Sequence, residues 1–271
     1  MNYLWAVLAF VMMVFLRRSF AELLESHHWY ARNYAGCNIT FPWGILLIAV
    51  VAVLYALRLL ADGPNPLIIK GLIALYGAGF VGLVDDAVGD GKYRGLKGHL
   101  GAFFKERKLT SGLIKAVTGT ILALALGLPA EGRAGNMVAA FNLALSMNAI
   151  NLLDLRPGRA CKAFFLAFFL VVFTGTRNAA LILGLPLAMA LLVYFPLDLL
   201  EKGMLGDTGA NALGAILGLI LAHDLTFFGQ LVSLALLIAL HLVATFYSLS
   251  ALIVRVPPLA ALDRLGKSGR R

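Results

Sequence analysis

The chain has 271 residues, of which 61% are hydrophobic and 14% charged; a soluble domain carries about 25% charged residues. Its mean hydropathy is +0.87, and apolar runs of membrane-spanning length recur from end to end, which excludes soluble enzymes, secreted disulfide scaffolds, disordered chains and coiled coils. The formal charge of +9 fits Lys and Arg gathered in cytoplasmic loops against anionic lipid, so nucleic acid is set aside as a partner.

The runs do not alternate, which argues against a transmembrane β-barrel. Two cysteines, Cys37 and Cys161, are too few for a disulfide framework or a four-ligand zinc site. A crossing needs about 20 apolar residues in a helix. Nine spans are predicted, at 2–16, 42–61, 66–84, 112–129, 136–153, 161–176, 178–198, 209–224 and 229–252. The fold class this predicts is all-α, a polytopic membrane helical bundle forming one integral domain over 1–271, with the N-terminus outside and the C-terminus cytoplasmic. The first run lacks a basic leader and is followed by Arg17 and Arg18, so it reads as an anchor rather than a cleaved signal peptide. The cytoplasmic segments are then 17–41, 85–111, 154–160, 199–208 and the tail 253–271. With this orientation Arg58, Lys70, Arg133 and Arg177 lie outside, leaving 19 of the 23 Lys and Arg inside, as the positive-inside rule requires.

In chain order, residues 81–116 place Asp85 and Asp86 at the end of an apolar run, followed by Lys92, Arg94, Lys97 and His99 among glycines. Adjacent carboxylates repel unless a cation joins them, and Mg²⁺ favours one or two carboxylates plus substrate phosphates. Residues 146–164 set Asn148, Asn151 and Asp154 at i, i+3, i+6, read as one face of a helix end able to hold a hard cation or a nucleotide. Residues 204–218 begin a helix at Asp207 and Thr208 between glycines, where free backbone amides favour phosphate. Gly214 and Gly218 form a small-xxx-small pair, for packing within the chain or between subunits of a homodimer. All three acidic segments fall on the cytoplasmic side.

The acid pair after a third span, NxxNxxD after a fifth and MLGDTG before an eighth resemble the polyprenyl-phosphate N-acetylhexosamine-1-phosphate transferases, the MraY/WecA-like membrane enzymes. The resemblance runs over about residues 30–225 and includes RNYAGCNITFPWG at 32–44. It implies transfer of a sugar-1-phosphate from a UDP-sugar to polyprenyl phosphate at the cytoplasmic face of a bacterial inner membrane, releasing UMP for envelope glycan synthesis. It implies Mg²⁺, with Mn²⁺ as a substitute, held by Asn151 and Asp207. It implies catalytic acids at Asp85, Asp86 and Asp154, and substrate contacts from Lys92, Arg94, Lys97, His99, Asn148 and Arg255. The sequence departs from the family at Leu155 and Pro157, where relatives carry a glycine and a second acid, and it lacks the histidine-rich last loop; FYSLSALIVRVPPLAALDRLGK stands there instead. These departures motivate the alternative of a non-catalytic relative that binds nucleotide-sugar or lipid phosphate. A secondary transporter is the third reading, opposed by acids at one surface and no internal repeat. His27 and His28 beside Trp29 and Tyr30 read as an interfacial belt.

Overall fold

The computed structural model describes residues 2–89, 95–108, 110–127 and 132–266. Among these, six helices are long and apolar enough to cross a membrane: 2–26, 44–62, 66–88, 135–153, 180–199 and 227–246. The chain is therefore a helical membrane protein. In full, the helices are α1 (Asn2–Ser26), α2 (Gly44–Asp62), α3 (Pro66–Val88), α4 (Gly95–Glu106), α5 (Ser111–Gly127), α6 (Gly132–Leu153), α7 (Arg159–Thr174), α8 (Leu185–Leu199, entered through a π-helical turn Ala180–Gly184), α9 (Gly206–Asp224), α10 (Phe227–Phe246), α11 (Leu249–Arg255) and α12 (Pro257–Arg264).

Of the nine predicted spans, those at 112–129, 161–176 and 209–224 correspond to α5, α7 and α9. The first two are short, at 17 and 16 residues. The third is broken up by Asp207, Asn211 and His223. The all-α bundle carries one small addition. Strands β1 (Tyr30–Arg32) and β2 (Asn38–Thr40) form an antiparallel hairpin, with Tyr30 opposite Thr40. The Asn33 side chain accepts from the backbone of Ala35 and Cys37, which closes the turn locally.

Several boundaries move. α1 continues past its apolar run to Ser26. α3 continues to Val88, so Asp85 and Asp86 ride on its last turn rather than opening a loop. The tail folds into α11 and α12. The start of α3 follows from local chemistry: Asn65 accepts from the amides of Leu67 and Ile68, and Pro66 occupies the first turn, where no amide is needed.

α9 is the axis of the bundle. Nearly all of its residues are buried, and it packs chiefly on α3 and α6. Lipid tails are as apolar as Leu, so helix association depends on close packing rather than on the hydrophobic effect. Small residues supply that approach. A methyl on Gly82 of α3 would overlap the Asp207 carbonyl, and one on Gly214 would overlap the α6 backbone at Ser146 and Met147. Gly218 meets Leu143 of α6 in the same way, so the Gly214/Gly218 stripe packs within the chain.

Candidate functional site

The β-hairpin is spliced to the segment before α9. Met204 donates to the Thr40 carbonyl at 2.9 Å, and the amides of Trp43 and Gly44 donate to Met204 and Leu205, each at 2.9 Å. The Thr40 hydroxyl donates to the Lys202 carbonyl and accepts from Trp43 Nε1. These bonds bring the starts of α2 and α9 side by side. Gly206 turns the chain into α9 with φ near +78°, a conformation that costs a residue with a Cβ free energy. A Cβ there would also lie 2.7 Å from Asp86 Oδ2.

Asp86 closes this junction. Its Oδ1 accepts from the Asp207 amide at 2.9 Å, and its Oδ2 accepts from the Thr208 amide at 2.9 Å and the Thr208 hydroxyl at 2.6 Å. A carboxylate from α3 thus caps α9, complementing the positive end of its dipole. The expectation of free amides at Asp207 and Thr208 for phosphate is corrected accordingly, because Asp86 already takes them.

Asp85 points elsewhere. It lies 3.6 Å from Lys115 Nζ and is hydrogen-bonded by Ser111 at the start of α5. Consecutive positions on a helix diverge by about 100°, so the two acids face different neighbours, although the Lys115 ammonium acts on both. Lys115 also pairs with Asp207 Oδ2. Asn151 of α6 completes the group. With its amide oxygen toward Lys115 it accepts from Nζ at 2.7 Å and donates to Asp207 Oδ1 at 2.8 Å. Four helices, α3, α5, α6 and α9, thus deliver Asp85, Lys115, Asn151 and Asp207 to one point. Lys115 is the residue that sequence reading missed. Its signal is its position: a lysine one turn into an apolar helix must find a counter-charge.

Other candidates are placed differently. Asn148 is exposed on α6 and makes no hydrogen bond with the described residues; positions i, i+3 and i+6 spread over about 120° of helix arc, too wide for one face. Asp154 lies just beyond α6. Burial, then the carboxylates of Asp198, Asp207 and Asp86, push its carboxyl well above the usual range. Arg255 is exposed at the end of α11 and makes no ion pair with the described residues. Lys92 and Arg94 lie outside the described residues. Lys97 and His99 fall in the first turns of α4, and their side chains are likewise outside the description.

Two cavities flank the cluster. One, of about 40 Å³, is lined by Tyr34, Asp154, Arg156, Asp198 and Met204 among others. Arg156 stacks over the Tyr34 ring at 4.1 Å from its centroid. The Tyr34 hydroxyl donates to Glu201 at 2.8 Å, and Asn33 does so at 3.0 Å. That hydrogen bond, more than burial, raises the Tyr34 pKa. The other cavity, of about 300 Å³, has walls of Trp29, Tyr30, Phe41 and Leu83 and reaches Asp86.

The chemistry available is anion and cation handling: oxygen donors for a hard ion and one ammonium for phosphate. No group of three or more His, Cys, Asp or Glu placed to hold a metal occurs among the described residues. The donor set suits an ion that takes few protein ligands and shares the rest with substrate phosphates. The chain matches no protein-family model and no curated protein.

Proposed function

We propose that the protein is a membrane phosphoglycosyltransferase that moves a sugar-1-phosphate, an N-acetylhexosamine-1-phosphate by resemblance, from a UDP-sugar to polyprenyl phosphate. The observation that carries this reading is the meeting of Asp85, Lys115, Asn151 and Asp207 at one point where four helices converge, braced by Asp86. We read α5, α7 and α9 as three further crossings, giving nine, with the site on the cytoplasmic face of a bacterial inner membrane.

In this reading a polyprenyl phosphate oxygen forms a bond to the β-phosphorus of the donor. The bond from that phosphorus to the bridging oxygen breaks, and UMP leaves with the bonding electrons. The attacking oxygen is already ionised near neutral pH, so no side chain needs to remove a proton. The work of the chain is placement and charge neutralisation. Asp207, Asn151 and Asp85 would hold Mg²⁺, which when bound offsets the charge of the diphosphate. Lys115, paired with Asp85 and Asp207, is the cation of the cluster that would hold a diphosphate oxygen of the donor. Asp86 positions Asp207 by fixing the first turn of α9. The recess of Tyr34, Asp154, Arg156 and Met204, about 40 Å³ with the Tyr34–Glu201 contact closed, would receive the nucleoside end of the donor only once that contact opens, since ligand pockets run to several hundred Å³. Trp29, Tyr30 and Leu83 line the approach from the membrane side.

The test is direct. Purified protein is offered UDP-N-acetylhexosamines, polyprenyl phosphate and Mg²⁺, and UMP release is followed together with mass spectrometry of the lipid. A polyprenyl-diphospho-sugar that forms with the native chain and is lost in Asp207→Asn supports the assignment. Absence of UMP with every UDP-sugar, while the nucleotide still binds, moves the protein to the non-catalytic alternative.

A further inference from the structure

The segment after α10 takes no part in the cluster, yet it is firmly built. Arg159, at the start of α7, donates to both carboxylate oxygens of Asp263 at 2.7 and 3.1 Å and to the Ser250 hydroxyl at 2.8 Å. Lys162, one turn further, donates to the carbonyls of Leu262 and Asp263. Ala260 is buried, and Leu199 packs near Gly266, just past the end of α12. The clasp residues of α11–α12 thus face the protein together with buried Leu249 and Ala260, and a second apolar stripe faces out. Val254 is 61% exposed, Leu262 40% and Leu265 66%, with Leu259 beside them. A water-facing pair of helices would be arranged the other way round.

Three observations identify what covers this stripe. First, the clasp is on α7 at the end next to Asp154, so the stripe sits at the membrane rim that carries the site. Second, it continues the surface of α10, a 20-residue apolar helix with no buried residue, through exposed Phe246 and Tyr247. Third, cations flank it: Arg255 and Arg264 end the two helices, and Lys267, Arg270 and Arg271 follow in sequence. Leu-rich faces edged with Arg and Lys settle at the boundary between headgroups and acyl chains, most strongly over anionic lipid.

We propose that α11 and α12 form an interfacial helical hairpin, lying flat in an anionic leaflet with Val254, Leu259, Leu262 and Leu265 inserted and Arg255 and Arg264 on the headgroups. The hairpin is independent of the transferase reading, and either can fail alone.

The test uses the full chain with Cys37→Ser, carrying a polarity-sensitive dye on Leu262→Cys or, separately, Leu265→Cys; both sites are exposed, and the buried Cys161 does not label. The native chain labelled at exposed Cys37 gives the water reference. Proteins are reconstituted in phosphatidylcholine vesicles with or without phosphatidylglycerol, containing shallow nitroxide lipid, and iodide is added outside. The expected result is blue-shifted emission at 262 and 265, loss of most of it to the nitroxide and little to iodide, with deeper quenching when phosphatidylglycerol is present. Emission like that at Cys37, quenched by iodide, overturns the proposal, because the stripe then faces water. Shielding from both quenchers also overturns it, since a protein partner then covers the stripe. Equal nitroxide quenching in both lipids overturns the anionic preference.

Discussion

Asp86 and Thr208, 122 residues apart, make a two-point contact in which one carboxylate oxygen accepts both the amide and the hydroxyl of Thr208. The other oxygen takes the Asp207 amide. The carboxylate is therefore a helix cap supplied by a different helix, and it fixes where the Asp207 side chain projects. Asp86→Asn keeps the size but replaces one acceptor oxygen by a donor facing an amide. Loss of a cap costs about 1–2 kcal/mol, with a further cost from the misdirected donor. The expected outcome is a lower melting temperature in detergent and transfer reduced by about two orders of magnitude, in line with loss of a positioned charge group. Thr208→Val, which removes only the hydroxyl, is expected to lie between Asp86→Asn and the native chain in both measurements.

Lys115 is central to the second prediction. Its ammonium lies between Asp85 and Asp207, the place a divalent ion would take. Lys115→Gln leaves two partly buried acids with no cation, so in chelator the variant is expected to melt several degrees below the native chain. Added Mg²⁺ is expected to stabilise Lys115→Gln more than the native chain, because the ion no longer competes with an ammonium; mass action gives about 2.7 kcal/mol at a hundredfold excess over Kd. On the proposed transferase reading, transfer is expected to fall sharply in the same variant, since the diphosphate would lose its ammonium partner. Thermal shifts across a Mg²⁺ titration check the first part, and UMP release checks the second. Equal Mg²⁺ responses in the two proteins would remove the ion from this cluster.

Much of this arrangement was legible in the sequence, and the remainder has identifiable causes. Asp207 and Asn151 stand at the ends of apolar runs, where an ionisable or amide group is costly without a partner, so they could be singled out by position. The separate roles of Asp85 and Asp86 could not, because adjacency in sequence says nothing of the 100° turn between them. Lys115 was hidden by its neighbours, since positive charge at a helix end is ordinary on the positive-inside rule. Asn148 misled because a three-residue step looks helical, while it already turns the side chain about 60° away from Asn151 and sets it about 4.5 Å back along the axis. The hairpin at Tyr30–Thr40 was missed because strands of three residues are below what periodicity can show. The helices of the tail were not legible because they are short, at seven and eight residues, and Pro257 and Pro258 occupy the first turn of α12, where they fit.

The third prediction concerns the latch over the small cavity. Tyr34 is held from two sides, its ring by Arg156 and its hydroxyl by Glu201. Tyr34→Phe removes a hydrogen bond to a charged group, worth about 1.5–3 kcal/mol where shielded and less at this exposed position. It leaves the ring in place. If the pocket takes the nucleoside end of the donor, Tyr34→Phe and Glu201→Gln loosen the lid and alter KM for UDP-sugar by several-fold with kcat nearly unchanged, the pattern of uniform binding. Arg156→Ala is expected to move KM in the same assay and to leave the KM for polyprenyl phosphate alone. A change confined to the lipid substrate would assign the cavity to the acceptor instead.

The last prediction tests how the end of the chain is held. Arg159 and Asp263 form a two-bond ion pair with side chains 8% and 14% exposed, and Arg159 also holds Ser250. Breaking a buried pair from one side costs about 3–5 kcal/mol, whereas replacing both partners with apolar groups is often neutral. Because Asp263 keeps some access to water, Asp263→Ala is expected to cost about half that, with Arg159→Ala higher, since it removes three hydrogen bonds, two to Asp263 and one to Ser250. The double variant Arg159→Met/Asp263→Leu is expected to recover most of the loss. The measurement is twofold: thermal melting in detergent for the whole chain, and limited proteolysis in vesicles for the segment itself. If the pair holds α11–α12 against α7, the single variants become sensitive to cleavage after Arg255 and Arg264 before the bundle melts, and the double variant does not. Cleavage that tracks global melting in all three would show that the clasp serves the bundle as a whole rather than the hairpin.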